Sequence, residues 1–134
     1  VQAAQSACEA RGYKNLLLEG SKYCSIEEGK RIVKKVVSQK LEKPCIMFTD
    51  DYVALGGLQA IRELNIKVPD DMAIVGFDGI QIGQILYPKL TTVLQDSKKI
   101  GETVAQKMLR LISDPNEQNE VITLPTELLF GDTL

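Results

Sequence analysis

Histidine is absent from this chain, and that gap removes several chemistries at once. Ser–His–Asp and Cys–His nucleophile systems both need an imidazole. The three cysteines, Cys8, Cys24 and Cys45, are too widely spaced for a zinc pattern, and an odd number cannot all pair within one chain. They read as small buried apolar side chains of a reducing compartment. Long apolar runs are missing as well, since none approaches the roughly 20 residues of a membrane span. A formal net charge of −2 leaves no electrostatic footprint for nucleic acid or an anionic membrane. The opening VQAAQSACEARGY lacks the basic and apolar regions of a signal peptide, and the lack of an initiator Met suggests a fragment. No G-x-G-x-x-G occurs. Gly20 and Gly29-Lys30-Arg31 are too widely spaced for a phosphate loop, with Arg31 where Ser or Thr belongs. No catalytic residue, metal or cofactor is therefore expected, and no enzymatic role.

What is present fits one domain, or one lobe of a larger one: 134 residues, 44% hydrophobic and 25% charged, the composition of an ordinary globular protein. The organising stretch is Pro44 to Asp78. A short apolar run, Cys45 to Phe48, stops at Thr49-Asp50-Asp51. Leu55, Leu58, Ile61 and Leu64 then recur at helical spacing, and Pro69-Asp70-Asp71 makes a polar turn. A second run, Met72 to Val75, ends at Gly76-Phe77-Asp78. Strand, helix and strand in about 35 residues imply parallel strands and a right-handed crossover. Both strands end in carboxylates at the same sheet edge, where ligands bind in open α/β sheets.

The remaining segments flank this unit. Residues 1–11 read as a helix stopped by Gly12, and 14–19, centred on Leu16-Leu17-Leu18, as a short buried strand. Ser25 and Glu28 form a capping box for a helix with Gly29, Ile32, Val33, Val36 and Val37 on one face. Residues 79–87 are irregular or briefly helical, and 88–94 extended. Asp96-Ser97 caps a helix over 98–112, whose buried stripe is Ile100, Val104, Met108 and Leu111, with Ala105, Leu109 and Ile112 beside it. Asp114-Pro115-Asn116 stops it, and 121–130 holds one or two short strands interrupted at Pro125. Asp70-Asp71 and Glu27-Glu28 are turn and cap residues. Asp51 falls at a helix N-terminus, where capping accounts for one member of the Asp50-Asp51 pair.

Four ordered motifs carry a resemblance. TDDYVALGG gives Asp51, Ala54 and Gly56 of N-D-x-x-A-x-G, with Asp50 in place of the Asn. Val68, Pro69 and Asp71 give V-P-x-D; Gly76, Phe77 and Asp78 give G-[FY]-D; Pro88, Leu90, Thr91, Thr92 and Val93 give P-x-L-T-T-[VI]. The chain resembles the LacI/GalR family of bacterial transcriptional repressors, most securely over 44–94. The resemblance implies an α/β fold: a three-layer parallel-sheet lobe of a periplasmic-binding-protein-like (type I) fold, with an incomplete second lobe. Residues 1–94 would be the C-terminal subdomain of the effector-binding domain. Residues 95–134 would hold a hinge crossing plus a helix and strands belonging partly to the other lobe. The helix 98–112 should then expose apolar surface, so dimerisation or swapping through it is expected. LPTEL at Leu124 to Leu128 is similar to the family's close, although Gly131 stands where an Arg usually follows.

The resemblance also implies a site and partners. Asp78 would accept hydrogen bonds from vicinal hydroxyls of a sugar or sugar phosphate effector. Asp50, lacking the amide donor of Asn, would alter which ligand group is accepted, and Gln95 would reach the cleft from the hinge. The family's cleft Arg falls before Val1 in this register, so the chain is expected to bind effector poorly. A homodimer would use the 54–64 helix and the 79–87 segment. Operator DNA would be reached only through a helix-turn-helix absent from this chain, with no membrane partner and a cytoplasmic location. The alternative is a fragment of an exported sugar-binding protein of a transport system.

Overall fold

The computed structural model describes residues 2–13, 17–21, 23–114, 116–118 and 120–134. Its centre is a four-stranded sheet in the order β1 (Cys45–Met47), β2 (Ala73–Asp78), β3 (Thr91–Leu94), β4 (Glu127–Leu129). The first three strands run parallel, with Ile46 opposite Ile74 and Asp78 opposite Leu94, and β4 closes the far edge antiparallel. The expected strand–helix–strand unit is therefore present, and its carboxyl edge carries the ends of β1, β2 and β3.

Among the described residues there are five helices: α1 (Gln2–Ala10) and α2 (Ile26–Ser38) precede β1, and α3 (Asp51–Glu63), α4 (Gln81–Ile85) and α5 (Ser97–Ser113) link successive strands. None is long and apolar enough to cross a membrane. The core is one cluster in which Ile32 and Val33 of α2 and Val53, Ala54, Ala60 and Ile61 of α3 pack with Ile46, Phe48, Ile74 and Leu90. The face of α3 that is buried differs from the expected stripe. Leu55 and Leu58 are only partly buried and Leu64 is exposed, while Ala54, Gly56, Gly57 and Ala60 are buried. Close approach selected the small residues. A Cβ on Gly29 of α2 would overlap the Val53 carbonyl oxygen, and one on Gly56 would overlap that of Ile26.

The start of α2 is half a capping box. Ser25 Oγ accepts from Glu28 N at 3.2 Å, but the Glu28 carboxylate turns away to Ser21 Oγ and Arg31. Glu19 also pairs with Arg31 and Lys35. These cations hold its carboxyl below the usual carboxylate range, Lys35 most strongly. The strand expected over 14–19 is not found where it can be seen. Lys14, Asn15 and Leu16 lie outside the described residues, and Leu17 and Leu18 are exposed and unpaired with any strand. A continuous leucine run has no period to fix it as a strand, and here the segment is tied by Glu19 to α2 instead.

The stripe of α5 that read as buried is exposed, as the resemblance implied for this helix. No residue of α5 is buried: Val104, Met108 and Leu109 are each more than half exposed, because no described strand lies beneath the helix. The segment after α5 covers part of it. Lys107 pairs with Glu117 and Glu120, and Ile100, Val104 and Met108 face Ile122, Leu124 and Pro125 across a groove of about 440 Å³. Residues 121–126 form no strand, and Pro115 lies outside the described residues. The cysteines are not core residues either. Cys24 and Cys45 are exposed and Cys8 is half-buried, since the core is filled by larger aliphatic side chains.

The far end of the chain is fastened to the start of the sheet. Thr133, fully buried, donates from Oγ1 to the Ile74 carbonyl at 2.7 Å and accepts from Thr91 N at 2.9 Å. Its own carbonyl accepts from Ile74 N. Beside it, Gly131 N donates to Thr91 Oγ1, and a Cβ on Gly131 would overlap the Lys89 carbonyl oxygen, which excludes an Arg there.

Two stability outcomes follow from this packing. Gly29→Ala forces α2 and α3 apart and should cost about 2 kcal/mol, read as a lower urea midpoint at unchanged slope. Thr133→Val leaves a buried amide and a buried carbonyl each short of a partner and should cost a similar amount, about 2 kcal/mol, in the same measurement.

Candidate functional site

The carboxyl edge of the sheet gathers the polar side chains. At the end of β2, Asp78 takes a positive φ of 121°, a region that a residue with a side chain seldom occupies. Its main chain and side chain are both held by Gln95, one residue past β3. Gln95 N donates to the Asp78 carbonyl at 3.2 Å, and Gln95 Nε2 donates to Asp78 Oδ1 at 2.7 Å. Two of the three residues expected at the site are therefore in direct contact, and both are half-buried.

Asp50, at the end of the β1 run, has a defined second task. It is the N-cap of α3: Oδ1 accepts from Tyr52 N at 2.7 Å and from Val53 N at 3.2 Å. The capping role assigned to a member of the pair thus falls to Asp50, not Asp51. Both capping bonds use Oδ1, and an Asp keeps its second oxygen as a further acceptor.

Asp51 is instead the buried member. It is fully enclosed, with Oδ2 accepting from Ile80 N at 2.8 Å and Oδ1 accepting from the Thr92 hydroxyl at 2.7 Å. The Thr92 oxygen also accepts from Gly79 N at 3.3 Å. Room for this carboxylate exists because β2 has glycine at position 76, where a Cβ would overlap Asp51 Oδ1. Helix α3, the turn after β2 and strand β3 are thereby tied at one point.

Cys24 completes the edge and was missed in the sequence, where it read as a core residue. Contact with the Asp50 carboxylate pushes its thiol pKa up, and the charge of Asp78 adds in the same sense. Only tertiary structure brings the loop before α2 to these strand ends. Thr92 was quoted in a motif without a role, although a Thr-Thr doublet in a parallel strand buried on both faces signals hydroxyls with internal partners. Among the described residues, no group of three His, Cys, Asp or Glu side chains could hold a metal ion.

Comparison with known proteins agrees with this architecture. The periplasmic binding protein-like domain family matches residues 1–134. The probable HTH-type transcriptional repressor ExuR of Bacillus subtilis is 32% identical over 81% of this chain and 33% of its own length. The ribose operon repressor of Haemophilus influenzae is 28% identical over 92% of this chain and 40% of its own. Among solved structures, a LacI family transcriptional regulator from Enterococcus faecalis with bound ribose superposes at a TM-score of 0.85. It is 28% identical and covers 98% of this chain and 48% of its own. The transcription regulator CcpA of Lactococcus lactis gives 0.80 at 29% identity, over 97% and 48%. The chain thus spans between a third and a half of the length of these relatives. With a parallel sheet whose strand ends carry Asp50, Asp78 and Gln95, and a family match over its whole length, the chain belongs to the periplasmic binding protein-like domain family.

Proposed function

We propose that this chain is the effector-sensing and dimerisation portion of a DNA-binding transcriptional repressor. It takes a small sugar-like metabolite against the carboxyl edge of its sheet and couples that event to operator binding. The observation that carries the reading is the Asp78 carboxylate, presented at the end of β2 and clasped by Gln95, in a chain whose relatives are repressors. A carboxylate so placed accepts from vicinal hydroxyls in charge-assisted hydrogen bonds, with Gln95 offering an amide and Asp50 a second acidic acceptor. A ribose-bound regulator of the same fold supports the sugar class.

Residues 1–94 act in this reading as one subdomain, and 95–134 carry the hinge crossing and parts of the second lobe. Effector affinity that differs between two lobe arrangements biases the spacing of two DNA-binding heads, which is allostery in the thermodynamic sense. The heads are a helix-turn-helix outside this sequence. The homodimer uses α3 and the segment around α4, where Ile82, Ile85, Leu86 and Tyr87 stand exposed. The protein works in the cytoplasm and catalyses no reaction. The repressor relatives favour this reading over an exported transport component.

A thermal-shift screen of D-ribose, other sugars and sugar phosphates on the intact protein, of which this chain is a part, tests it. One ligand should raise Tm, by about 2.7 kcal/mol of stabilisation at a hundred times its Kd, and Asp78→Ala should abolish the shift. No shift from any sugar, or an undiminished shift in the variant, overturns the sugar assignment. The raised pKa of Cys24 gives an independent check at the same edge. Alkylation at pH 8 should be slower than for an ordinary exposed thiol, should accelerate in Asp50→Asn, and should slow further when the effector is bound.

A further inference from the structure

The effector reading makes Asp78 the contacting group, and the structure holds that residue in a backbone conformation it would not choose. A positive φ of 121° at a residue with a Cβ is strained, and such strain persists only where the surroundings over-determine it. Five hydrogen bonds do so here. Gln95 supplies two, to the Asp78 carbonyl and carboxylate. The other three converge behind the turn: Gly79 N to Thr92 Oγ1, Ile80 N to Asp51 Oδ2, and Thr92 Oγ1 to Asp51 Oδ1. The two amides that follow Asp78 are thus both fixed by a pair of side chains that solvent does not reach.

We propose that Asp51 and Thr92 are positioning residues for the effector site: they clamp the Asp78–Ile80 turn and so aim the Asp78 carboxylate. The inference rests on the reading of Asp78 as the effector contact. Neither residue touches the effector, and each acts through the turn. Asp51 serves because a carboxylate has two acceptor oxygens, one for a hydroxyl of β3 and one for an amide of the turn, with no donor to conflict with either. Thr92 serves because its hydroxyl donates to Asp51 while accepting from Gly79. Gly76 is part of the device, since it leaves the space through which Asp51 passes. The hydroxyl of residue 92 is required, and its methyl is not.

Two readouts test this, and the first needs no ligand. The amide–Hα scalar coupling of Asp78 is small at this φ and large in extended backbone. It should be small in the parent protein and in Thr92→Ser, and should rise in Thr92→Val and Asp51→Asn as residue 78 relaxes. A small coupling retained in both Thr92→Val and Asp51→Asn, or a large one already in the parent, overturns the clamp. The second readout is calorimetric titration of the intact protein with D-ribose, at a temperature where every variant is folded. Thr92→Val should bind about tenfold more weakly or worse, the loss expected when a charge-assisted hydrogen bond is misdirected. Thr92→Ser should stay within about twofold of the parent. A Thr92→Val protein that relaxes at residue 78 yet binds as well as the parent overturns the positioning role. A parent that does not bind D-ribose removes the ribose assignment alone, and the coupling then decides the clamp by itself.

Discussion

A carboxylate without solvent must find its hydrogen bonds inside the protein, and Asp51 meets that demand with one amide and one hydroxyl. Burying an ionised group is costly unless its acceptor sites are filled. The enclosure of Asp51 therefore dictates what surrounds it. The strand beneath must lack a side chain, hence Gly76. The neighbouring strand must offer a hydroxyl, hence Thr92, and the turn leaving β2 must present an amide, hence the path from Gly79 to Ile80. Three motifs that look independent along the chain, Asp50-Asp51, Gly76-Phe77-Asp78 and Leu90-Thr91-Thr92, are members of one hydrogen-bonded junction.

That junction explains which parts of the fold were legible. The β1–α3–β2 unit follows from apolar runs of strand length, a helical repeat and a proline turn, all local signals with one period each. The resemblance added the order of motifs and the meaning of Asp78 and Gln95, and the structure joins those two by a 2.7 Å hydrogen bond. Features set by long-range packing were not legible. Leu55 and Leu58 looked like the core stripe of α3, but the approach of α2 turned a face of alanine and glycine inward. The apolar stripe of α5 read locally as a buried face, while the resemblance implied an exposed one, and the exposed stripe agrees with the second reading. Amphipathicity reports that a face seeks cover and not that cover is there. Cys24 could not be placed at the strand ends without the third dimension.

The two acidic groups at the edge differ in kind. Asp50 is committed to the first turn of α3 through Oδ1, so its position is as rigid as the helix it caps. Asp78 depends on the turn behind it and on Gln95 ahead of it. Gln95 lies where β3 hands the chain to α5 and also borders the groove along that helix. One residue thus meets both the strand-end carboxylate and the groove that leads away from the sheet.

Thr133 has a consequence for how the chain reaches this state. Its hydroxyl seals a buried gap between β2 and β3, yet it lies 59 residues from its acceptor Ile74, and Asp132 lies 43 from Lys89. Contacts of such sequence separation raise the contact order, and their loop-closure entropy must be met before they stabilise anything. The helix pair and the β1–β2 strands can form from neighbours in sequence, whereas the last hydrogen bonds between β2 and β3 wait for a distant segment to return. The chain is expected to condense early around α2 and α3 and to become watertight late, at the edge opposite Asp50, Asp78 and Gln95.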